Sequence, residues 1–111
     1  MHLVGSVEEF DVIIVDDMID TAGTLCKAAS VLKDYGARRV FAFASHGLFN
    51  GPANQRLADS ELSEAVVLDT IPLSVDCANN PKKIIQLLVA HLLAQAVYNI
   101  HHEKSISALF K

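Results

Sequence analysis

One stretch, Val12-Ile-Ile-Val-Asp-Asp-Met-Ile-Asp-Thr-Ala-Gly-Thr24, constrains this chain more than any other. Val12 to Val15 are apolar and β-branched, which predicts a buried strand over about Asp11 to Val15. Asp16 and Asp17 fall where that strand is expected to end. Small and hydroxylated residues, Asp20-Thr21-Ala22-Gly23-Thr24, then lead into Leu25-Cys26-Lys27-Ala28-Ala29, which has helical character. A strand, a tight loop and a helix together aim unpaired backbone N–H groups at an anion. Gly23 would let the backbone approach a ligand closely or take a positive φ. Thr21 and Thr24 add hydroxyl donors, and the two upstream carboxylates suit sugar hydroxyls. One loop therefore offers a phosphate cradle beside a diol-binding edge, and a phosphorylated sugar carries both groups.

Downstream spacing extends the same plan. From Thr24 to about Tyr35, residues Leu25, Ala28, Ala29, Leu32 and Tyr35 share one stripe of a helix. Gly36 is placed to stop it as a C′ residue, and Lys33, with Arg38 and Arg39 beyond, suits its negative end. Val40 to Ala44 is a second apolar strand. Strand, helix and strand over this distance imply a right-handed parallel crossover, so Ser45-His46-Gly47 lies at the same sheet edge as Asp16 and Asp17. Gly51-Pro52 opens a short helix to about Ala58, with Ala53 and Leu57 facing inward. Glu64 to Leu68 is a third strand, ended by Asp69-Thr-Ile-Pro72. Leu73 to Pro81 is turn-rich and expected to be loop, and Lys83 to Leu87 is a fourth strand. The helix expected over Leu88 to His101 is apolar almost all round, which calls for deep burial or packing on another subunit.

Composition narrows the function classes. A chain of 111 residues with 51% apolar and 20% charged residues is one domain with enough apolar material for a core. Its net charge of -4 gives no basic footprint for nucleic acid or an anionic membrane. The apolar run from Leu87 to Val97 is broken by His91 and Gln95 and is too short to span a bilayer. Cys26 and Cys77 match no metal spacing and are expected to be reduced thiols of a cytoplasmic protein. The loop that carries His46 offers no nucleophile–base pair. His46 in an edge loop is read as structural and His91 as a core or interface histidine. His101 and His102 are read as partners of a helix C-terminus.

Four motifs, in order, carry a resemblance: residues 15–24, Ser45-His-Gly-Leu-Phe-Asn-Gly-Pro-Ala53, Asp69-Thr-Ile-Pro72 and Ser105-Ile-Ser-Ala-Leu-Phe110. Together they resemble ribose-phosphate diphosphokinases. The first motif alone would indicate only the wider phosphoribosyltransferase fold. The resemblance implies an α/β fold with a mostly parallel sheet and flanking helices, of the type I phosphoribosyltransferase kind, over 1–111, with 102–111 as a C-terminal tail. The family reaction transfers diphosphate from ATP to the C1 hydroxyl of ribose 5-phosphate, with magnesium whose ligands lie mostly outside this chain. By the same resemblance, Asp16 and Asp17 contact the ribose hydroxyls. Asp20, Thr21, Ala22, Gly23 and Thr24 hold the 5-phosphate, with Asp20 shaping the loop. Ser105, Ser107 and Phe110 belong to an allosteric anion site at a subunit interface, where ADP inhibits and phosphate activates. Family enzymes carry a whole further domain before this segment, with the ATP-binding histidine and basic residues, and assemble from dimers into hexamers.

This chain is accordingly expected to be the C-terminal, sugar-phosphate half of such an enzyme, inactive alone. Three other readings compete. A non-catalytic regulatory homologue would share the fold and bind the enzyme. A type I phosphoribosyltransferase would share the loop but not the Ser-Ile-Ser-Ala-Leu-Phe ending. A response-regulator receiver domain also opens with Val-Asp-Asp, where the acidic pair binds magnesium. It would need Asp69 as phospho-acceptor and a lysine shortly after a later strand, and the Asp-Thr-Ala-Gly-Thr loop has no role in it.

Overall fold

The computed structural model describes residues 2–78 and 83–111. Its elements run β1 (Asp11–Ile19), α1 (Gly23–Asp34), β2 (Arg39–Gly47), α2 (Ala53–Ala58), β3 (Leu62–Leu68), α3 (Val75–Ala78), β4 (Ile84–Leu87) and α4 (Ala90–His101). A 3₁₀ turn, Ser107–Phe110, closes the chain. All three strand pairings are parallel, and the sheet order is β1-β2-β3-β4. The expected α/β architecture, a parallel sheet with flanking helices, is present.

Consecutive order has a consequence for layering. Crossovers of one hand that always step in one direction bring every connecting helix to the same face. Here α1 packs on β2, β3 and α2. The core fills the space between these helices and the sheet: Ala29 and Leu32 from α1, Val40, Ala42 and Ala44 from β2, Ala53 and Leu57 from α2, and Ala65 and Val67 from β3. Alanines at so many contact points let the helices lie close to the strands. The opposite face is uncovered mainly at β1 and β2, where Ile13, Val15 and Phe43 are exposed, while Val66 on β3 is buried. Val15, Phe43, Val66 and Ile85 form one row across it by register, and Val15 is 78% exposed.

Helix α1 ends as its sequence predicts. Gly36 has φ 95°, its N–H donates to the Lys33 carbonyl, and the Ala37 N–H reaches back to the Leu32 carbonyl. That is a Schellman motif with glycine at C′. At this same end of the sheet, Arg38 and Arg39 both grip Asp11 through paired bonds of 2.6 to 3.0 Å. Their guanidinium hydrogen bonds hold the Asp11 carboxyl well below the usual carboxylate range.

Several expectations need correction. β1 does not stop at Val15. It continues through Asp16 and Asp17 to Ile19, because β2 extends equally far and pairs with it up to Ile19 and Gly47. Leu73 to Pro81 is not all loop: Val75–Ala78 is a helical turn, with the Ser74 hydroxyl accepting from Cys77 N–H and Cys77 buried. Residues 79–81 of that expected loop lie outside the described residues. Helix α4 begins at Ala90 rather than Leu88, and the Asp69 carboxylate accepts from the N–H of its N-cap residue Val89 at 2.8 Å. It is not deeply buried either. Leu92, Leu93, Val97 and Ile100 are exposed, and Asn99 is its buried residue. Tyr35, expected on the inward stripe of α1, is exposed, as is His91.

Candidate functional site

The ends of β1, β2 and β3 meet at the C-terminal edge of the sheet, and the loops that follow them are tied together there. The Ile19 carbonyl accepts from the N–H of both Leu48 and Phe49, at 2.9 and 3.2 Å. The Asp20 carbonyl accepts from Asn50 N–H at 3.1 Å, and its carboxylate accepts from Asn50 Nδ2 at 2.9 Å. The Asp20 side chain is thus engaged in joining the loops after β1 and β2. Gly47 sits beneath this junction: a methyl there would overlap the Phe49 ring and meet Val67 Cγ2 at 3.0 Å. His46 Nδ1 lies 2.7 Å from Thr70 Oγ1, which links the ends of β2 and β3.

The loop turns at Ala22, with φ 64° and ψ 11°. Of the two expectations for Gly23 the positive φ is not met, since Gly23 is the first residue of α1 and has no positive φ, and the close approach to a ligand stays open. A Cβ at Gly23 would lie 2.9 Å from Arg56 Nη1. That guanidinium comes from α2 and donates to the Thr21 carbonyl at 3.1 Å. Helix α1 has no side-chain cap. Its first turn therefore keeps its donors: among the described residues, the N–H groups of Thr21 to Leu25 find no acceptor. Cys26 N–H is the first to be used, donating to the Ala22 carbonyl at 3.0 Å. The side chains of Thr21 and Thr24 stand exposed beside these donors.

The acidic pair is also at this edge, but within the strand. Asp16 lies in the row of Ala44 and Val67, on the face that α1 covers, and Asp17 follows it in the strand. Asp16 Oδ1 accepts from Asp17 N–H at 2.8 Å, and both residues are exposed. Behind the loop, α1 and α2 enclose an open groove of about 770 Å³ lined by Gly23, Thr24, Lys27 and Arg56 among others. Cys26 opens onto it, but burial pushes its thiol up, so it is no ready nucleophile. Cys26 and Cys77 are both free thiols.

Ser105, Ser107 and Phe110 form a separate group on the end of α4. The two hydroxyls lie 2.8 Å apart, Asn99 Nδ2 donates to the Ser105 carbonyl at 2.9 Å, and Phe110 is 78% exposed. The structure brings together the residues around 16–24 and, separately, those around 105–110. Sequence reasoning missed Asn50 and Arg56. Asn50 lay inside a quoted motif without an assigned partner. Arg56 is a single cation on a six-residue helix, and no spacing rule marks it.

Among the described residues, no three His, Cys, Asp or Glu side chains converge to hold a metal, and no helix is long and apolar enough to cross a membrane. The receiver reading fails on topology. Such a sheet runs 2-1-3-4-5 with its first strand inside, whereas β1 lies at an edge here and Asp69 is occupied with Val89 N–H.

Known proteins agree with the fold and sharpen it. Residues 1–111 match the family described as phosphoribosyl synthetase-associated domain. A ribose-phosphate pyrophosphokinase of Shewanella oneidensis is 49% identical over 99% of this chain and 35% of its own length. One from Haemophilus ducreyi is 53% identical over 99% of this chain and 34% of its own length. The crystal structure of phosphoribosylpyrophosphate synthetase from Mycobacterium smegmatis superimposes with a TM-score of 0.83 at 37% identity, over 90% of this chain and 33% of that one. The chain thus spans about a third of the length of the curated relatives it matches. With a family match along its whole length and a shared parallel sheet, the chain belongs to the phosphoribosyl synthetase-associated domain family.

Proposed function

We propose that the loop from Asp20 to Thr24 binds the 5-phosphate of ribose 5-phosphate or phosphoribosyl diphosphate, and that Asp16 and Asp17 take the ribose hydroxyls. The observation that carries this reading is the run of N–H groups from Thr21 to Leu25 that lack a protein acceptor. They open a twelve-residue helix, flanked by two threonine hydroxyls, at the edge that also carries the acidic pair. Helix N-terminal amides favour a dianion without any need for net positive charge, which suits a chain of net charge -4. Both carboxylates are exposed near the strand's end, free to accept from sugar hydroxyls.

In this reading the chain is the C-terminal, sugar-phosphate half of a ribose-phosphate diphosphokinase that serves nucleotide biosynthesis in the cytoplasm. Its nucleophile is the substrate's own C1 hydroxyl. The protein's work is to fix that hydroxyl and to neutralise charge. The ATP-clamping groups lie outside these residues, so the chain alone does not turn over. Magnesium would be held mostly by groups other than these side chains. Its ligands would be diphosphate oxygens and groups outside the chain, which accords with its habit of taking one or two carboxylates beside phosphates. Ser105, Ser107 and Phe110 would form one wall of an anion site for ADP or phosphate, completed by other subunits of a homo-oligomer.

Calorimetric titration tests the central claim. Ribose 5-phosphate should bind the 111-residue chain without ATP, and ATP with magnesium should not bind. If neither ligand binds, the half-site reading fails. The regulatory homologue, which the exposed apolar residues of α4 also suit, then becomes the better account.

A further inference from the structure

We propose that Arg56 is a positioning residue for the phosphate loop: its guanidinium holds the Thr21 carbonyl so that the loop's N–H groups face the anion. This inference rests on the phosphate-site reading above. A trans peptide points its C=O and its N–H in opposite directions. Arg56 Nη1 takes the Thr21 carbonyl at 3.1 Å from the α2 side. The N–H of the same peptide unit, that of Ala22, is thereby turned away from α2. The left-handed conformation of Ala22 then starts α1 with its free amides following in sequence.

A second observation points the same way. The guanidinium lies so close to Gly23 that a Cβ there would be 2.9 Å from Nη1 and 3.5 Å from Cζ. The arginine tip thus lies directly against the loop at Gly23, whose own φ needs no special freedom. The charge also lies just behind the first turn of α1, where it adds to the helix's positive end. Among the described residues Arg56 forms no ion pair, so its charge is not neutralised by a neighbouring carboxylate. Lysine would bring charge but could not reproduce the planar fork that reaches the carbonyl.

The test titrates inorganic phosphate and ribose 5-phosphate into the 111-residue chain and its Arg56→Gln and Arg56→Lys variants. Thermal midpoints are followed in parallel. Because Arg56 is exposed, the fold should persist. Arg56→Gln should weaken both ligands by the same factor, about ten-fold, the scale of one charge-assisted contact. Arg56→Lys should recover only part of that loss, and the recovered part should vanish at high salt. Amide shifts of residues 22–24 should move in both variants. Wild-type affinity in Arg56→Gln, with ribose 5-phosphate binding intact, overturns the role of Arg56 and leaves the site reading standing. No binding of either ligand to the wild-type chain overturns both. If Arg56→Gln does not fold, Arg56→Lys carries the test alone: wild-type affinity for both ligands at low and at high salt overturns the proposal.

Discussion

At the scale of single residues, the loop's shape depends on Ala22 more than on the glycine beside it. Left-handed backbone costs an L-residue roughly 1–2 kcal/mol, and Ala22 bears it at 7% exposure. Ala22→Val adds a β-branched side chain to a conformation that such residues avoid, in a site with no spare volume. A loss of about 1–3 kcal/mol is expected by urea denaturation with an unchanged slope. Ala22→Gly relieves the backbone cost but gives up a buried methyl worth about 0.8 kcal/mol, so it should stay within roughly 1 kcal/mol of wild type. A valine variant as stable as wild type would show that Ala22 is not left-handed in solution. The sequence could not reveal this division of labour. Asp-Thr-Ala-Gly-Thr offers a glycine where a positive φ is wanted, and the usual inference assigns it there. The arginine that lies against Gly23 sits on another element, out of reach of any local rule.

At the scale of elements, legibility follows how local the determinants are. Helix α1 was legible at its C-terminal end, because its Gly36 stop and its basic last turn are written in neighbouring residues. The end of β1 was not. Asp16 and Asp17 have low strand propensity, and only pairing with β2 carries the strand on to Ile19. At the start of α4 the Val89 N–H is likewise met by the Asp69 carboxylate, twenty residues upstream. Apolar all-round character announced that α4 needs a partner, yet within this chain it meets chiefly the 3₁₀ turn after it. Twelve-residue helices are marginal in water without tertiary packing. Hydrogen exchange should therefore show α4 amides opening well before those of α1 and β2. Asn99→Ala should release the tail further, since Asn99 Nδ2 holds the Ser105 carbonyl and its Oδ1 takes Gln95 Nε2. Protection of α4 equal to that of β2 would mean that it docks on the sheet in solution.

At the scale of the whole molecule, the sheet is wound in one direction only. Parallel sheets ordinarily have both faces covered, and a doubly wound sheet achieves this by reversing its strand order. The order β1-β2-β3-β4 has no reversal, so α1 and α2 cover one face and leave β1 and β2 uncovered on the other. The radius of gyration, 16.5 Å, exceeds the roughly 13 Å of a compact chain of about this length. The exposed residues Ile13, Val15 and Phe43 of the sheet and the length of α4 are thus available to something else, in a chain that spans a third of its relatives. Exposed patches of this kind bind apolar dyes. The isolated chain should enhance anilinonaphthalene sulfonate fluorescence at neutral pH while keeping native circular dichroism. Two double variants then locate the patch. Val15→Lys with Phe43→Lys places charges in the central row of the uncovered face, which Val66 and Ile85 continue. Leu93→Lys with Val97→Lys does the same on α4. The sheet pair should remove about half or more of the enhancement, and the helix pair less, because Ile13, Val15 and Phe43 lie together on paired strands. Enhancement that survives the sheet pair but not the helix pair would place the unmet interface on α4.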